Sequence, residues 1–168
     1  MRGRVGQGEG VTPCYPHGSV NKKRKDWGMG PLGRLLGVRR KRTGKGGWQF
    51  LLTVRRDHMN PYGLVHGGVV YSLADYAMGA ELARRLAAGE RCATLEIKIN
   101  YLAPVSGGAL RAEARVVERT RRIGVLEGRV YDDQDRLVAL ATGSFYIQNS
   151  PSPQPSPSKG EGEGQVER

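Results

Sequence analysis

Hydrophobic and polar positions change period along this chain, and the changes mark its elements. From Ala93 to Pro104, ATLEIKINYLAP alternates, with Leu95, Ile97, Ile99 and Tyr101 on one face and Thr94, Glu96, Lys98 and Asn100 on the other. That pattern predicts a half-buried strand. Leu110 to Thr120 alternates similarly, Ile123 to Tyr131 follows a tight basic turn, and Asp132 to Asp135 turns the chain into a last strand, Leu137 to Ile147. Upstream, Val38 to Thr43 and Trp48 to Val54 flank Gly44 to Gly47 and read as a hairpin, and Pro31 to Gly37 reads as a short helix with proline at its start and glycine at its end. From about Gly67 to Leu86 the chain is apolar nearly all round for four turns, so a helix enclosed by other structure is expected. The order predicts an α+β domain in which a curved antiparallel sheet wraps one long helix.

The ends do not share these patterns. Residues 1–30 hold seven glycines, the basic run Lys22 to Lys25 and almost no apolar periodicity, which predicts a disordered basic arm, or a coding start at Met29. Residues 149–168 are mostly Pro, Ser, Gly and Glu and read as a disordered tail, leaving 31–148 as the folded domain. The two cysteines, Cys14 and Cys92, lie far apart with no metal-ligand spacing. No apolar run of about 7–15 residues follows the N-terminal charges, and no stretch reaches spanning length. A cytoplasmic protein without a membrane partner is expected.

The net charge of +11 divides as +4 over residues 1–30, +8 over 31–148 and −1 over the remainder. Such a surface suits nucleic acid, an anionic membrane surface or a phosphorylated ligand, and charge alone does not choose. No helix-turn-helix, zinc or aromatic RNA-binding signature is present and aromatics number only 11, which argues against nucleic acid.

Candidate chemistry concentrates between His58 and Ala80. Asn60-Pro61-Tyr62-Gly63 is turn-forming and delivers His66-Gly67-Gly68 to the helix start. The first N–H groups of a helix lack internal partners and sit at its positive end, so a glycine there can offer an N–H to a carbonyl oxygen gaining charge. Leaving His66 aside, Asp75 is the only acidic or basic residue between positions 66 and 80. A carboxylate among apolar neighbours can act as general base or nucleophile on an acyl carbon. It lies eight residues beyond Gly67, about 12 Å along the same helix at ~1.5 Å per residue, so one substrate carbon cannot touch both. Joint action requires a second copy whose helix runs alongside in the opposite sense, a homodimer with two shared sites.

Asn60-x5-His66-Gly67-Gly68-x4-Leu73-Ala74-Asp75, followed by Asn100-Tyr101-Leu102-x-Pro104, resembles the signature of the hotdog-fold acyl-CoA thioesterases of the phenylacetate-pathway (PaaI) type. The similarity runs from about Pro31 to Gln148. It implies hydrolysis of an acyl-CoA thioester to acid and CoA without a further cofactor or metal, in a dimer or a dimer of dimers. By the same resemblance Asp75 is base or nucleophile, Gly67 polarises the thioester carbonyl, with Gly68 beside it against the substrate, Asn60 and His66 orient water, substrate or loop, and Thr94 positions the hydrolytic water. This chain is more basic than the pattern, and Arg121 and Arg122, at a strand turn, are candidate contacts to the CoA phosphates because guanidinium forks match phosphate oxygens.

Plainer roles exist for the same residues. Ser72-x-x-Asp75 fits a capping box for a helix beginning at Ser72, His66 can serve only to pin the loop, Asn60 only to form the turn, and Thr94 stands on the polar face of its strand. A metal site from His58, His66, Asp75 and Cys92 matches no zinc spacing. The functional alternatives are a non-catalytic acyl-CoA-binding protein of the same fold and a basic nucleic-acid-binding protein.

Overall fold

A computed structural model describes residues 29–44 and 46–149; the N-terminal arm and most of the tail expected above lie outside them. The elements in order are helix α1 (Gly30–Leu36), strands β1 (Arg39–Arg42) and β2 (Trp48–Thr53), a 3-10 turn (Arg56–His58), helix α2 (Gly67–Ala83), and strands β3 (Glu90–Tyr101), β4 (Ala109–Arg119), β5 (Ile123–Tyr131) and β6 (Leu137–Asn149). Each begins and ends near the expected glycine, proline or basic turn. Pro31 opens α1, and Gly37 closes it with a left-handed φ of 70°. The six strands form one antiparallel sheet ordered β1-β2-β4-β5-β6-β3, as the hotdog expectation required.

The core lies between α2 and the concave face of the sheet. Leu73, Ala74, Met78 and Leu82 of α2 are fully covered against Phe50, Leu52, Leu110, Leu126 and Phe145. β5 brings two glycines to the helix: a Cβ on Gly124 would stand 2.8 Å from both Leu82 methyls, and one on Gly128 would stand 3.1 Å from the Met78 side chain. These positions set how closely the sheet wraps the helix. Truncating a buried side chain such as Phe145 to alanine costs about 3–5 kcal/mol on the usual scale for such sites.

α2 differs from expectation in two respects. It ends at Ala83 rather than Leu86, because the last turn tightens: the Arg85 N–H bonds the Leu82 carbonyl at 2.8 Å and that of Leu86 the Ala83 carbonyl at 3.4 Å, both at three-residue spacing. Nor is it enclosed on every side. Gly68 is exposed and Ser72, Asp75 and Gly79 half-buried, so a stripe of small residues with one carboxylate stays uncovered. The sheet's two ends approach that stripe, since Arg40 of β1 and Thr94 of β3 border one cavity. Asp75 therefore sits in the seam where the wrap does not close. Among the described residues no helix is long and apolar enough to cross a membrane.

Candidate active site

The loop before α2 is built by hydrogen bonds that each residue type dictates. The Asn60 carboxamide oxygen accepts from the N–H groups of Tyr62 at 2.9 Å and Leu64 at 3.1 Å, the short-range pattern that Asn supplies in turns. Beneath it, His58 is only 2% exposed; its Nδ1 accepts from the Arg55 N–H at 3.1 Å, and its carbonyl takes the His66 N–H at 2.8 Å. Burial lowers the His58 pKa, with the Arg55 charge adding to the effect. His66 caps the helix: its Nδ1 accepts from the Gly68 N–H at 2.9 Å and its carbonyl from the Val69 N–H at 2.9 Å. That excludes a helix starting at Ser72.

Among the described residues no acceptor faces the N–H of Gly67, the first residue of α2. Tyr101 lies over Gly67, its hydroxyl donating to the Gly67 carbonyl at 3.0 Å, and a Cβ at position 67 would meet its ring at 3.0 Å. Gly67, Asn60, Tyr101 and Pro104 border a cavity of about 380 Å³.

Asp75 lies elsewhere, in a cavity of about 210 Å³ walled by Phe50, Tyr76, Cys92 and Phe145. The Thr94 hydroxyl donates to Asp75 Oδ1 at 2.9 Å. Burial raises the Asp75 pKa above the ordinary carboxylate value, and the Thr94 hydrogen bond opposes that shift. A carboxylate in this setting is a stronger base than a solvated one, and the Thr94 hydroxyl engages one of its oxygens.

Thr94 reaches Asp75 because of a β-bulge, which corrects the reading of this strand. β3 changes register against β6 between Thr94 and Glu96, so Leu95 has no partner and the side-chain parity shifts there. Leu95, expected inward, is 59% exposed, and Thr94, expected on the polar face with Glu96, joins Cys92 toward α2. Ile97 and Ile99 keep their expected face and pack on the core.

The site residues therefore fall into two groups: Asn60, His66, Gly67 and Gly68 at the start of α2, and Asp75 with Thr94 midway along it. The two cavities share no lining residue. Arg121 and Arg122 are exposed at the β4–β5 turn and border neither. The four residues weighed as a metal site do not converge: His58 is buried in the loop and His66 caps the helix, and among the described residues no group of three His, Cys, Asp or Glu is placed to hold a metal. Sequence reasoning missed Tyr101 as the cover of Gly67 and Arg40 as a wall of the Asp75 cavity. Tyr101 stood in the quoted motif; for Arg40 the chain carries no local signal, because its neighbour Thr94 is 54 positions away.

A six-stranded curved antiparallel sheet around one long helix is the hotdog architecture. The sequence profile of the thioesterase superfamily matches residues 62–139. A solved structure of the BH2602 protein of Bacillus halodurans with CoA is similar, at 36% identity, with a TM-score of 0.68 over 71% of this chain and 80% of that one. The 1,4-dihydroxy-2-naphthoyl-CoA hydrolase of Listeria monocytogenes is 27% identical over 110 residues, 66% of this chain and 89% of its own. A proposed esterase of Saccharolobus solfataricus is 38% identical over 85 residues, 51% of this chain; the match spans 56% of that relative's length. The chain belongs to the thioesterase superfamily.

Proposed function

We propose that the protein hydrolyses acyl-CoA thioesters to the free acid and CoA at a site shared by two copies of the chain. Asp75 of one copy takes a proton from water as the water oxygen bonds the acyl carbon. The Gly67 N–H of the other copy stabilises the negative charge that develops on the carbonyl oxygen. The C–S bond then breaks and CoA leaves as a thiolate, which recovers the proton. Attack by Asp75 itself, giving an anhydride that water opens, uses the same groups.

The observation that carries this reading is the Thr94–Asp75 pair in a largely apolar cavity, about 12 Å along α2 from a Gly67 N–H that faces no acceptor among the described residues. That separation is useless within one chain. Gly68, Ser72 and Gly79 around Asp75 would let a second helix approach closely. The likeness to a protein solved with CoA and to a naphthoyl-CoA hydrolase supports the substrate class. In this account Asn60 and His66 shape the loop that presents Gly67 and Gly68, and Thr94 orients Asp75.

The test is a hydrolysis screen over short, medium, long and aryl acyl-CoAs, with the Asp75→Asn protein as control and oligomeric state measured in parallel. Turnover by the wild type that Asp75→Asn abolishes, in a folded dimer, is the expected result. Full activity in Asp75→Asn, or in a strict monomer, ends the account, and CoA binding without turnover makes the protein a binder.

A further inference from the structure

Charge in this chain divides sharply at Arg56. From Gly30 to Arg56 the sequence holds eight lysines and arginines and no aspartate or glutamate, whereas from Asp57 to Gln148 it holds eleven of each sign. The positive excess of the folded domain therefore belongs to α1 and the β1–β2 hairpin with its exit. Arg34, Arg39, Lys41, Arg42, Arg55 and Arg56 are all exposed. Among the described residues none of these six has a carboxylate within ion-pair distance.

The same region exposes apolar side chains. α1 lies with Gly33 against α2, where an added Cβ would stand 2.9 Å from the Tyr76 hydroxyl, and with Leu36 packed on the core. At about 100° per residue, Leu35 then points almost directly away from the body of the protein, with Leu32 on one flank and Arg34 on the other. Leu35 is 72% exposed and Leu32 53%. Neighbouring groups continue this surface: the Arg55 guanidinium donates to the Leu35 carbonyl at 2.7 Å, and that of Arg39 to the Thr53 hydroxyl at 3.2 Å. β1 is an edge strand, so Lys41 stands at the rim of the sheet.

Leucines projecting between unpaired cations select among anionic partners. Nucleic acid rewards the arginines and leaves the leucines in water. An anionic lipid surface takes both, because the cations meet headgroup phosphates while the leucines enter the boundary with the acyl chains. We propose that α1 and the β1–β2 hairpin dock the protein peripherally on an anionic lipid surface, with Leu32 and Leu35 inserted and Arg34, Arg39, Lys41 and Arg55 on the headgroups. The expectation of no membrane partner rested on spanning length, which surface docking does not need. The docking face also borders the Asp75 cavity, through Met29 and Arg40. On the thioesterase reading, that places the cavity beside the lipid into which long-chain acyl thioesters partition.

The test is flotation of the full chain with vesicles of phosphatidylcholine alone and of equal parts phosphatidylcholine and phosphatidylglycerol, at low and moderate salt. The protein should float with the mixed vesicles only, and added salt should weaken that binding. Leu35→Ser and Lys41→Glu should each lower vesicle affinity about tenfold, the first with an unchanged salt dependence and the second with a shallower one. Both should keep the wild-type oligomeric state and wild-type turnover of a short, water-soluble acyl-CoA. Neutralising the N-terminal basic run by Lys22→Gln, Lys23→Gln, Arg24→Gln and Lys25→Gln should leave the dependence on Leu35 and Lys41 intact. Lys41, exposed on an edge strand, keeps the test valid should Leu35→Ser disturb α1.

Equal binding to both vesicle types, or wild-type vesicle affinity in both variants, overturns the assignment, as does binding that only the N-terminal substitutions abolish. So does polyglutamate or duplex DNA displacing the vesicles in a Leu35-dependent manner, which would mark an acidic macromolecule as the partner. A changed oligomeric state in Leu35→Ser would mean that α1 faces a second copy and also overturns it. Vesicle binding with the expected dependences in a protein that hydrolyses no thioester removes the catalytic reading and leaves the docking surface standing.

Discussion

In the proposed reaction the start of α2 and its midpoint contribute by opposite means. At the start, Asn60, His58 and His66 supply the hydrogen bonds that shape the loop, and the proposed reactive group is the Gly67 N–H, which faces no acceptor among the described residues. At the midpoint, the proposed role rests on one side chain, Asp75, whose pKa burial raises and a single hydrogen bond from Thr94 holds back. A backbone donor survives the loss of any one neighbour with its identity intact, while a lone carboxylate does not. The midpoint should therefore be fragile in activity and tolerant in stability, and the start the reverse.

The largest expected effect is that of Asp75→Asn, which should lower turnover by ~10³-fold or more, at the upper part of the range for lost acid–base catalysis. Its stability should not fall. A raised folded-state pKa means the folded protein holds the Asp75 proton more tightly than the unfolded chain does. That contribution is fully present below the unfolded value of about 3.9 and is lost as pH rises through the folded one, so at neutral pH the ionised carboxylate is a burden. A melting temperature clearly below wild type at pH 7 would contradict the comparison.

Next is Gly67→Ala, whose added methyl meets the Tyr101 ring at 3.0 Å. Overpacking of this kind costs about 1–3 kcal/mol, and displacing the loop should lower activity with it. A Gly67→Ala,Tyr101→Ala protein should recover stability, as measured by denaturant unfolding. Recovery of activity alongside would show that Tyr101 only covers the glycine.

Thr94→Ala should cost about tenfold in kcat, and the acid limb of its pH–rate profile should move to higher pH, because the hydrogen bond that opposes the effect of burial on Asp75 is gone. Thr94→Ser should restore both. An unmoved profile would make Thr94 a packing residue. Smallest is His66→Ala, for which loss of the cap predicts about 1 kcal/mol of stability and a modest change in activity. A collapse of turnover in a stable His66→Ala protein would give this histidine a chemical role.

How much of this could be read from the chain depends on range. The hairpin, both helices and every strand were legible because glycine, proline or a period change punctuates each of them. Asp75 stood out as a charge in an apolar run, and the 12 Å argument needed only helical rise. The Thr94–Asp75 contact was hidden because a bulge inserts one residue without leaving a sequence mark, and it reverses the side chains before it relative to Ile97 and Ile99 after it. The open stripe on α2 was equally invisible: the segment reads as apolar nearly all round, and only the sheet's failure to close leaves Gly68, Ser72 and Gly79 uncovered. The cavity around Asp75 joins residues from β1, β2, α2, β3 and β6, which no local pattern relates.

The seam also has a mechanical consequence. β3 runs its full length along β6, from Glu90 against Asn149 to Tyr101 against Ala139, whereas the β1–β2 hairpin is tied to the sheet only where Phe50 to Thr53 meet Ala109 to Ala112. The two sides of the Asp75 cavity, Arg40 of β1 and Thr94 of β3, thus differ in how firmly they are anchored. Backbone amides of the hairpin should exchange with solvent deuterium well before those of β6, by opening of the hairpin alone. The wall bearing Arg40 and Arg42 would then be the door, and the wall bearing Thr94 the frame.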